Sequence, residues 1–260
     1  FFIVPVDVVM ADVRQLVEGG ARHITFGDPD FLNGPRHALA VAHALHAAFP
    51  EVTFDFTAKV SHLLRERAAL PELARLGCAF VVTAVESLSD VVLGHLDKGH
   101  TRADVVAALR AVRAAGVAPR PTWVPFTPWT TLEDYRDMLA FLADEGLVDH
   151  VDPVQYGIRL LVPPGSLLLA SEAMRPHLGS LVEGAFYHAW RHPDPRMDHL
   201  QQDVAALTAK AAGDREDAAV TFARVRALAD KAAGVAASAP PSAPPNERRR
   251  APRLTEPWFC

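Results

Sequence analysis

Cysteine is nearly missing, for the 260 residues hold only two, Cys78 and Cys260. Two thiols so far apart exclude a disulfide framework, and they cannot alone supply the three or four thiolates of an iron–sulfur or zinc site. Lysine is almost as scarce. Only four of the 26 basic residues are Lys, and 31 acidic residues bring the net charge to -5. No basic face of the kind that tracks a phosphate backbone follows, so nucleic acid is not an expected partner. Also absent is an apolar run of membrane-spanning length, and Phe1-Phe2-Ile3-Val4-Pro5 has neither the basic region nor the small-residue cleavage site of a secretory leader. These absences predict a reducing, cytoplasmic setting with no membrane partner. What abounds is apolar side chain, half of the composition, which is enough for a sizeable core.

Short β-branched and aromatic runs alternate with longer amphipathic stretches. Strands are expected at residues 23–26, 52–56, 79–83, 120–124 and 154–158, and helices around 6–18, 35–48, 60–75, 102–115 and 131–145. Gly116 and Gly146 fall where helices should stop, and Thr101-Arg102-Ala103-Asp104 and Thr131-Leu132-Glu133-Asp134 each have the form of a near capping box. Strands about 25–40 residues apart with a helix in each gap predict parallel strands joined by crossovers. An α/β barrel or a doubly wound sheet results, over residues 1–165.

Beyond residue 166 the strand signal stops, and 171–182, 203–212 and 215–233 read as helical, with Pro176 breaking the first. A helical appendage over 166–234 is the expectation. From residue 235 the chain turns to Ala, Ser and Pro, then Arg248-Arg249-Arg250, a linker that cannot bury enough surface to fold. It ends in Trp258-Phe259-Cys260, and that aromatic pair predicts an apolar receptor for the tail.

In parallel α/β folds, ligands bind where strands run out into loops. Those places hold Gly27-Asp28-Pro29-Asp30, Thr57-Ala58-Lys59, Glu86-Ser87, the segment after Thr122-Trp123-Val124, and Arg159. On these residues the chain resembles the radical S-adenosylmethionine (SAM) superfamily over about residues 1–165. Gly27-Asp28-Pro29-Asp30 is similar to a loop that engages the amino group of SAM. Val85-Glu86-Ser87 resembles the strand-end Glu-Ser pair, and Lys98-Gly99-His100-Thr101 the segment that follows it. Together with Leu254-Thr255-Glu256-Pro257-Trp258-Phe259-Cys260, the pattern resembles the subgroup with CUAEP or CCAEP tails, some of them selenoproteins.

The resemblance implies a partial (β/α)6 TIM-like barrel and two cofactors, SAM and a [4Fe–4S] cluster at which SAM is reductively cleaved to begin hydrogen abstraction. An electron donor and a small-molecule or peptide substrate are implied as partners. The cofactor-binding residues it implies are Gly27, Asp28, Asp30, Thr57, Lys59, Glu86, Ser87, Thr122 and Val124, with Asp55, Tyr156 and Arg159 as further candidates and Cys260 as a catalytic one. The family's CxxxCxxC loop is absent, so no metal ligand is expected in this chain, which alone is expected to be inactive. Truncation before Phe1, removing the first strand and cluster loop, is the expected reason for that absence, and a UGA codon read as stop after Cys260 would produce the other end.

Plainer readings stand beside these. Asp-Pro with Gly is an ordinary turn, Glu86 an ordinary acid beside a helix cap, and Lys98 an ordinary solvated residue. His43 with His46, and His188 with His192, have helical metal-ligand spacing, completed for the second pair only by Asp194 or Asp198. Cys78 reads as a small buried hydrophobe. Two other functions remain open: an aldolase-like barrel with Lys59 or Lys98 as Schiff-base amine, and a non-catalytic scaffold that binds SAM or a partner.

Overall fold

The computed structural model describes residues 3–236. Cys260, its Trp-Phe neighbours and the selenocysteine expectation lie outside them. In chain order the elements are α1 (Val6–Glu18), β1 (His23–Phe26), α2 (Pro35–Ala48), β2 (Thr53–Thr57), α3 (Val60–Arg65), α4 (Leu70–Arg75), β3 (Cys78–Glu86), α5 (Asp90–His95), α6 (Arg102–Ala114) and β4 (Ala118–Trp123). After these come α7 (Leu132–Asp144), β5 (Leu178–Val182), β6 (Tyr187–Trp190), α8 (Pro195–Gly213) and α9 (Ala218–Ala233). The chain divides into two compact units, the first of residues 3–85 and 103–121, the second of residues 86–102 and 122–236.

The first unit is built on a sheet in the order β1-β2-β3-β4. β1 pairs with β2 and β2 with β3 in parallel, with Thr25 opposite Asp55 and Thr57 opposite Val82. Successive side chains alternate between faces. One face therefore carries Ile24, Phe54, Phe56, Val81 and Val85, all buried. On α2 the buried positions Ala38, Val41, Ala42 and Leu45 follow the helical repeat, giving that helix an apolar stripe. Each fully buried Phe of this layer contributes roughly 1.5–3 kcal/mol relative to exposure. The other face carries His23, Thr25, Asp55 and Thr57, a polar row in a fold whose inner layers usually hold branched apolar residues. This is the partial α/β barrel expected, and among the described residues its sheet does not close.

In the second unit, α7 packs on α9 and α9 on α8. Tyr135 on α7 donates its hydroxyl to the Tyr156 carbonyl at 2.9 Å, and Arg136 Nε lies 3.1 Å from the buried Asp230 of α9. The capping box forms as expected, Thr131 and Asp134 each accepting the other's backbone N–H. Gly116 in the first unit and Gly146 in this one end their helices at φ 82 and 61, a left-handed conformation that costs glycine least. No described helix is long and apolar enough to cross a membrane.

Three local expectations are corrected. The stretch 60–75 is two short helices around a 3-10 turn, Arg67–Ala69, because Pro71 has no N–H to continue a single helix. The strand expected at 154–158 is a 3-10 helix, Pro153–Gly157, opened by a proline at its first position, with Tyr156 wholly buried. Its parallel pairing survives one step later as a single bridge between Phe126 and Arg159. The helix expected over 171–182 is replaced by the 3-10 turn Arg175–His177 and the hairpin β5-β6, whose Trp190 packs with Val162 and Met174. After the hairpin the described chain continues as α8 and α9.

Candidate functional site

In the first unit, the loop after β1 is built by its two aspartates. Asp28 Oδ1 accepts the Asp30 N–H at 2.8 Å, the side-chain turn that Asp readily forms. Asp30 then reaches across to the exit of β2. Its Oδ1 accepts the Lys59 N–H at 3.2 Å, and its Oδ2 lies 2.7 Å from His62 Nδ1 and 3.8 Å from Lys59 Nζ. The His62 contact is close but outside the angular range of a hydrogen bond. His62 is a residue that sequence reasoning missed, and no sequence spacing marks it. The structure thus brings Asp30 and Lys59 together, with Thr57 half-buried just before them. A side chain at Gly27 would meet nothing within 4 Å, which leaves the backbone there open to a ligand. Gly27 and Asp28 also line a cavity of about 270 Å3 with Val4, Phe26, Phe31 and His37.

Below this edge, on the polar face of the sheet, Asp55 is buried at 2 % exposure and is held by two neighbours on β1. His23 Nε2 lies 2.8 Å from Asp55 Oδ1, and Thr25 Oγ1 donates to the same oxygen at 2.7 Å. The other ring nitrogen of His23 meets Thr53 Oγ1 at 2.7 Å, and the ring stacks on Phe80, which also carries the Arg120 guanidinium 5.3 Å from its centroid. Cys78 is buried, and burial, reinforced by the negative charge of Asp55, pushes its thiol pKa far above the ordinary range. It is an apolar filler here, as expected.

In the second unit the strand-end residue Glu86 has φ 66, a left-handed conformation that costs a residue with a side chain about 1–2 kcal/mol. Its carbonyl accepts the Val124 N–H at 3.0 Å, and Oε1 accepts Lys98 Nζ at 3.2 Å. Among the described residues Lys98 is the one donor to this carboxylate. Ser87 Oγ accepts the Ser89 N–H at 3.0 Å, which leaves the Ser87 hydroxyl proton to donate elsewhere. Glu86, Ser87, Lys98 and Val124 are therefore brought together. The Trp123 N–H, next to Thr122, is taken by Gln155 Oε1 at 2.9 Å, a partner the sequence did not suggest.

Arg159 stacks 3.5 Å from the Trp190 ring centroid and donates to Asp198 and to the Trp190 carbonyl, so it clamps the hairpin to α8. Tyr156 is a core residue packed edge-on against Phe222. His43 pairs with Glu72 at 2.9 Å. His188 and His192 do not share a helix, because His188 is in β6 and His192 follows it; both ring nitrogens of His192 meet backbone groups of Thr130 and Asp194. Among the described residues no group of three or more His, Cys, Asp or Glu is placed to hold a metal ion. A Schiff-base lysine needs a desolvated or cation-flanked amine. Lys59 stands in solvent with its side chain 66 % exposed, and Lys98 sits on a carboxylate.

The model of the Radical SAM superfamily matches residues 1–151. No curated protein matches in sequence. Among solved structures, the chain is similar to the cobalamin-dependent S-adenosylmethionine radical enzyme OxsB with aqua-cobalamin bound, at TM-score 0.61 and 16 % identity, over 81 % of this chain and 37 % of that one. The same enzyme with both aqua-cobalamin and S-adenosylmethionine bound gives 0.61 and 15 % over the same shares. The radical S-adenosylmethionine methyltransferase TsrM from Kitasatospora setae gives 0.46 and 18 % over 54 % of this chain and 27 % of that one. The chain thus spans 37 % of the length of OxsB, and at that identity the likeness concerns the fold.

Proposed function

This chain belongs to the radical SAM superfamily, and from that premise we propose that its strand ends bind and orient S-adenosylmethionine for an enzyme of that class. The observation that carries the reading is Glu86, a strained strand-end carboxylate with one oxygen held by Lys98, next to a hydroxyl whose proton is free. Strain of this kind persists where the surroundings over-determine it, and it concentrates at ligand sites. SAM presents an ammonium group, ribose hydroxyls and an adenine edge, and acceptors beside a donor suit such groups.

In this proposal Glu86 accepts from a ribose hydroxyl or the ammonium group, and Ser87 donates to a polar atom of the cofactor. The segment from Thr122 to Val124, in the same unit as Glu86, is assigned to the adenine, although the Val124 N–H is spent on Glu86. Within the first unit, read by itself, the carbonyls of the loop from Gly27 to Asp30 suit an ammonium group, with Asp28 and Asp30 fixing the loop's shape, and Thr57 and Lys59 suit a carboxylate. The described residues do not fit a [4Fe–4S] cluster, since their cysteine is the buried Cys78 and no ligand group is assembled. The cluster's ligands, an electron donor and a small-molecule or peptide substrate are partners this proposal draws from outside them.

Equilibrium dialysis of the 260-residue chain against labelled SAM tests the reading. Saturable binding that Glu86→Gln weakens by about tenfold, roughly 1.4 kcal/mol, is the expected result. Binding that Glu86→Gln leaves unchanged removes the assignment. Borohydride trapping at Lys59 or Lys98 with a carbonyl compound would instead favour the aldolase-like alternative, which their surroundings disfavour.

A further inference from the structure

We propose that Lys98 is a positioning residue that aims the Glu86 carboxylate at the cofactor, so that SAM affinity depends on this ion pair. The proposal rests on the reading that Glu86 touches SAM.

The argument starts from how Lys98 is held. Helix α5 ends in a reversal in which the Asp97 N–H donates to the Gly94 carbonyl at 3.2 Å and the Lys98 N–H to the Leu93 carbonyl at 3.1 Å. That pair of bonds defines a Schellman end, whose left-handed position is usually glycine. Here Asp97 occupies it at φ 50, and Gly99, on the other side of Lys98, has φ 67. The lysine backbone is therefore fixed between two left-handed residues. Its side chain is 25 % exposed and that of Glu86 19 %, so the pair is shielded compared with an ordinary surface ion pair.

Glu86 needs such a partner. Its own backbone is strained, and the one bond from its carbonyl to the Val124 N–H fixes the main chain but not the side chain. A glutamate has three side-chain torsions, and an untethered carboxylate spreads over many rotamers. Drawing Oε1 to Lys98 narrows the rotamers open to the group and so the directions Oε2 can take. A preformed carboxylate costs the cofactor less ordering on binding.

The sign of the effect separates positioning from simple charge. SAM carries a sulfonium and an ammonium against one carboxylate, so its net charge is positive near neutral pH. A lysine that acted only as a nearby charge would repel it, and removing that lysine would tighten binding. A lysine that aims Glu86 has the opposite consequence. S-adenosylhomocysteine lacks the sulfonium charge, so the loss of aiming weakens it as well.

The experiment is equilibrium dialysis of the 260-residue chain with each of these two ligands, for the native sequence and for Lys98→Met, Lys98→Arg, Glu86→Gln and Lys98→Met with Glu86→Gln. Lys98→Met is expected to weaken both ligands by about tenfold, Lys98→Arg to recover most of that loss, and the double variant to bind no more weakly than Glu86→Gln. Thermal unfolding of each variant reports whether the fold is kept, and the Arg variant carries the test if the Met variant unfolds: native-like affinity supports the proposal and tighter SAM binding overturns it. Unchanged or tighter SAM binding by folded Lys98→Met overturns the positioning role. If Glu86→Gln weakens binding while Lys98→Met does not, this inference fails and the reading of Glu86 stands. If Glu86→Gln has no effect, or the native chain does not bind SAM, both fail.

Discussion

Asp30 Oδ2 lies 2.7 Å from His62 Nδ1, and the other oxygen of the same carboxylate accepts the Lys59 N–H. One side chain thus latches the loop after β1 to the segment after β2. Asp30→Ala should release this loop while leaving the sheet intact. The Lys59 N–H loses its acceptor, at a cost of about 1–3 kcal/mol. Hydrogen exchange of residues 27–34 should accelerate about tenfold or more per 1.4 kcal/mol lost, with the amides of β2 and β3 much less affected. Equal acceleration throughout the first unit would show that Asp30 supports the fold and is no latch.

Asp55 stabilises the polar face through His23 and Thr25. Replacing it with Ala strips both of their shared acceptor at a position only 2 % exposed, whereas Asp55→Asn keeps an oxygen for one of them. Asp55→Ala should cost about 2–4 kcal/mol and Asp55→Asn less, as measured by urea unfolding of the chain. If Ala is tolerated as well as Asn, water must already reach this carboxylate.

Part of this was legible in the sequence. α1 and α2 were readable to the residue because apolar side chains recur at helical spacing, and Pro35 marks the start of α2. The capping box at Thr131 and the glycines at 116 and 146 follow from local chemistry alone. The stretch 154–158 misled because Val154, Tyr156 and Ile158 alternate as a half-buried strand does, while Pro153 and the packing of Tyr156 in the core decided otherwise. Glu86 and Lys98 were recognisable from the order of their motifs, but the left-handed Glu86 backbone was not, since no residue preference announces a strained glutamate. His23 and His62 were invisible because cross-strand register and loop latching are properties of the fold.

The Cys78 thiol gives a pH dependence whose sign follows from its burial. Its pKa is raised in the folded state, mainly by desolvation and further by Asp55. The unfolded chain releases this proton near the ordinary cysteine value of about 8.5, so above that pH the unfolded state binds fewer protons than the folded state. The stabilising effect is complete below about pH 8.5 and is lost progressively above it. Cys78→Ala should flatten the decline in stability between pH 8.5 and 10, measured as urea midpoints for both proteins. Iodoacetamide at pH 8 should leave Cys78 unmodified in the native chain and modify it in urea, as read by peptide mapping. Rapid native labelling would place the thiol in solvent.

Among the described glycines of the second unit, Gly157 lies tightest against neighbouring main chain. A Cβ there would lie 3.0 Å from Ala205 Cα and 3.2 Å from Ala205 N, both main-chain atoms of α8 that cannot rotate away. Gly157→Ala must therefore push α8 off the 3-10 helix at Pro153–Gly157, also straining the bond that Gln201 Nε2 makes to the Gly157 carbonyl at 2.9 Å. Overpacking of this kind costs about 1–3 kcal/mol, and each kcal/mol lowers Tm by about 2–4 °C in a chain of this size. Gly165→Ala separates crowding from strain, since φ is 81 there but nothing lies within 4 Å of the added carbon. Its cost is the left-handed penalty alone, about 1 kcal/mol. Gly157→Val, with two further methyl groups, should be much worse than Gly157→Ala, while Gly165→Val should add little beyond the strain of a β-branched residue. Parallel trends at the two positions would mean that α8 does not approach Gly157 this closely in solution.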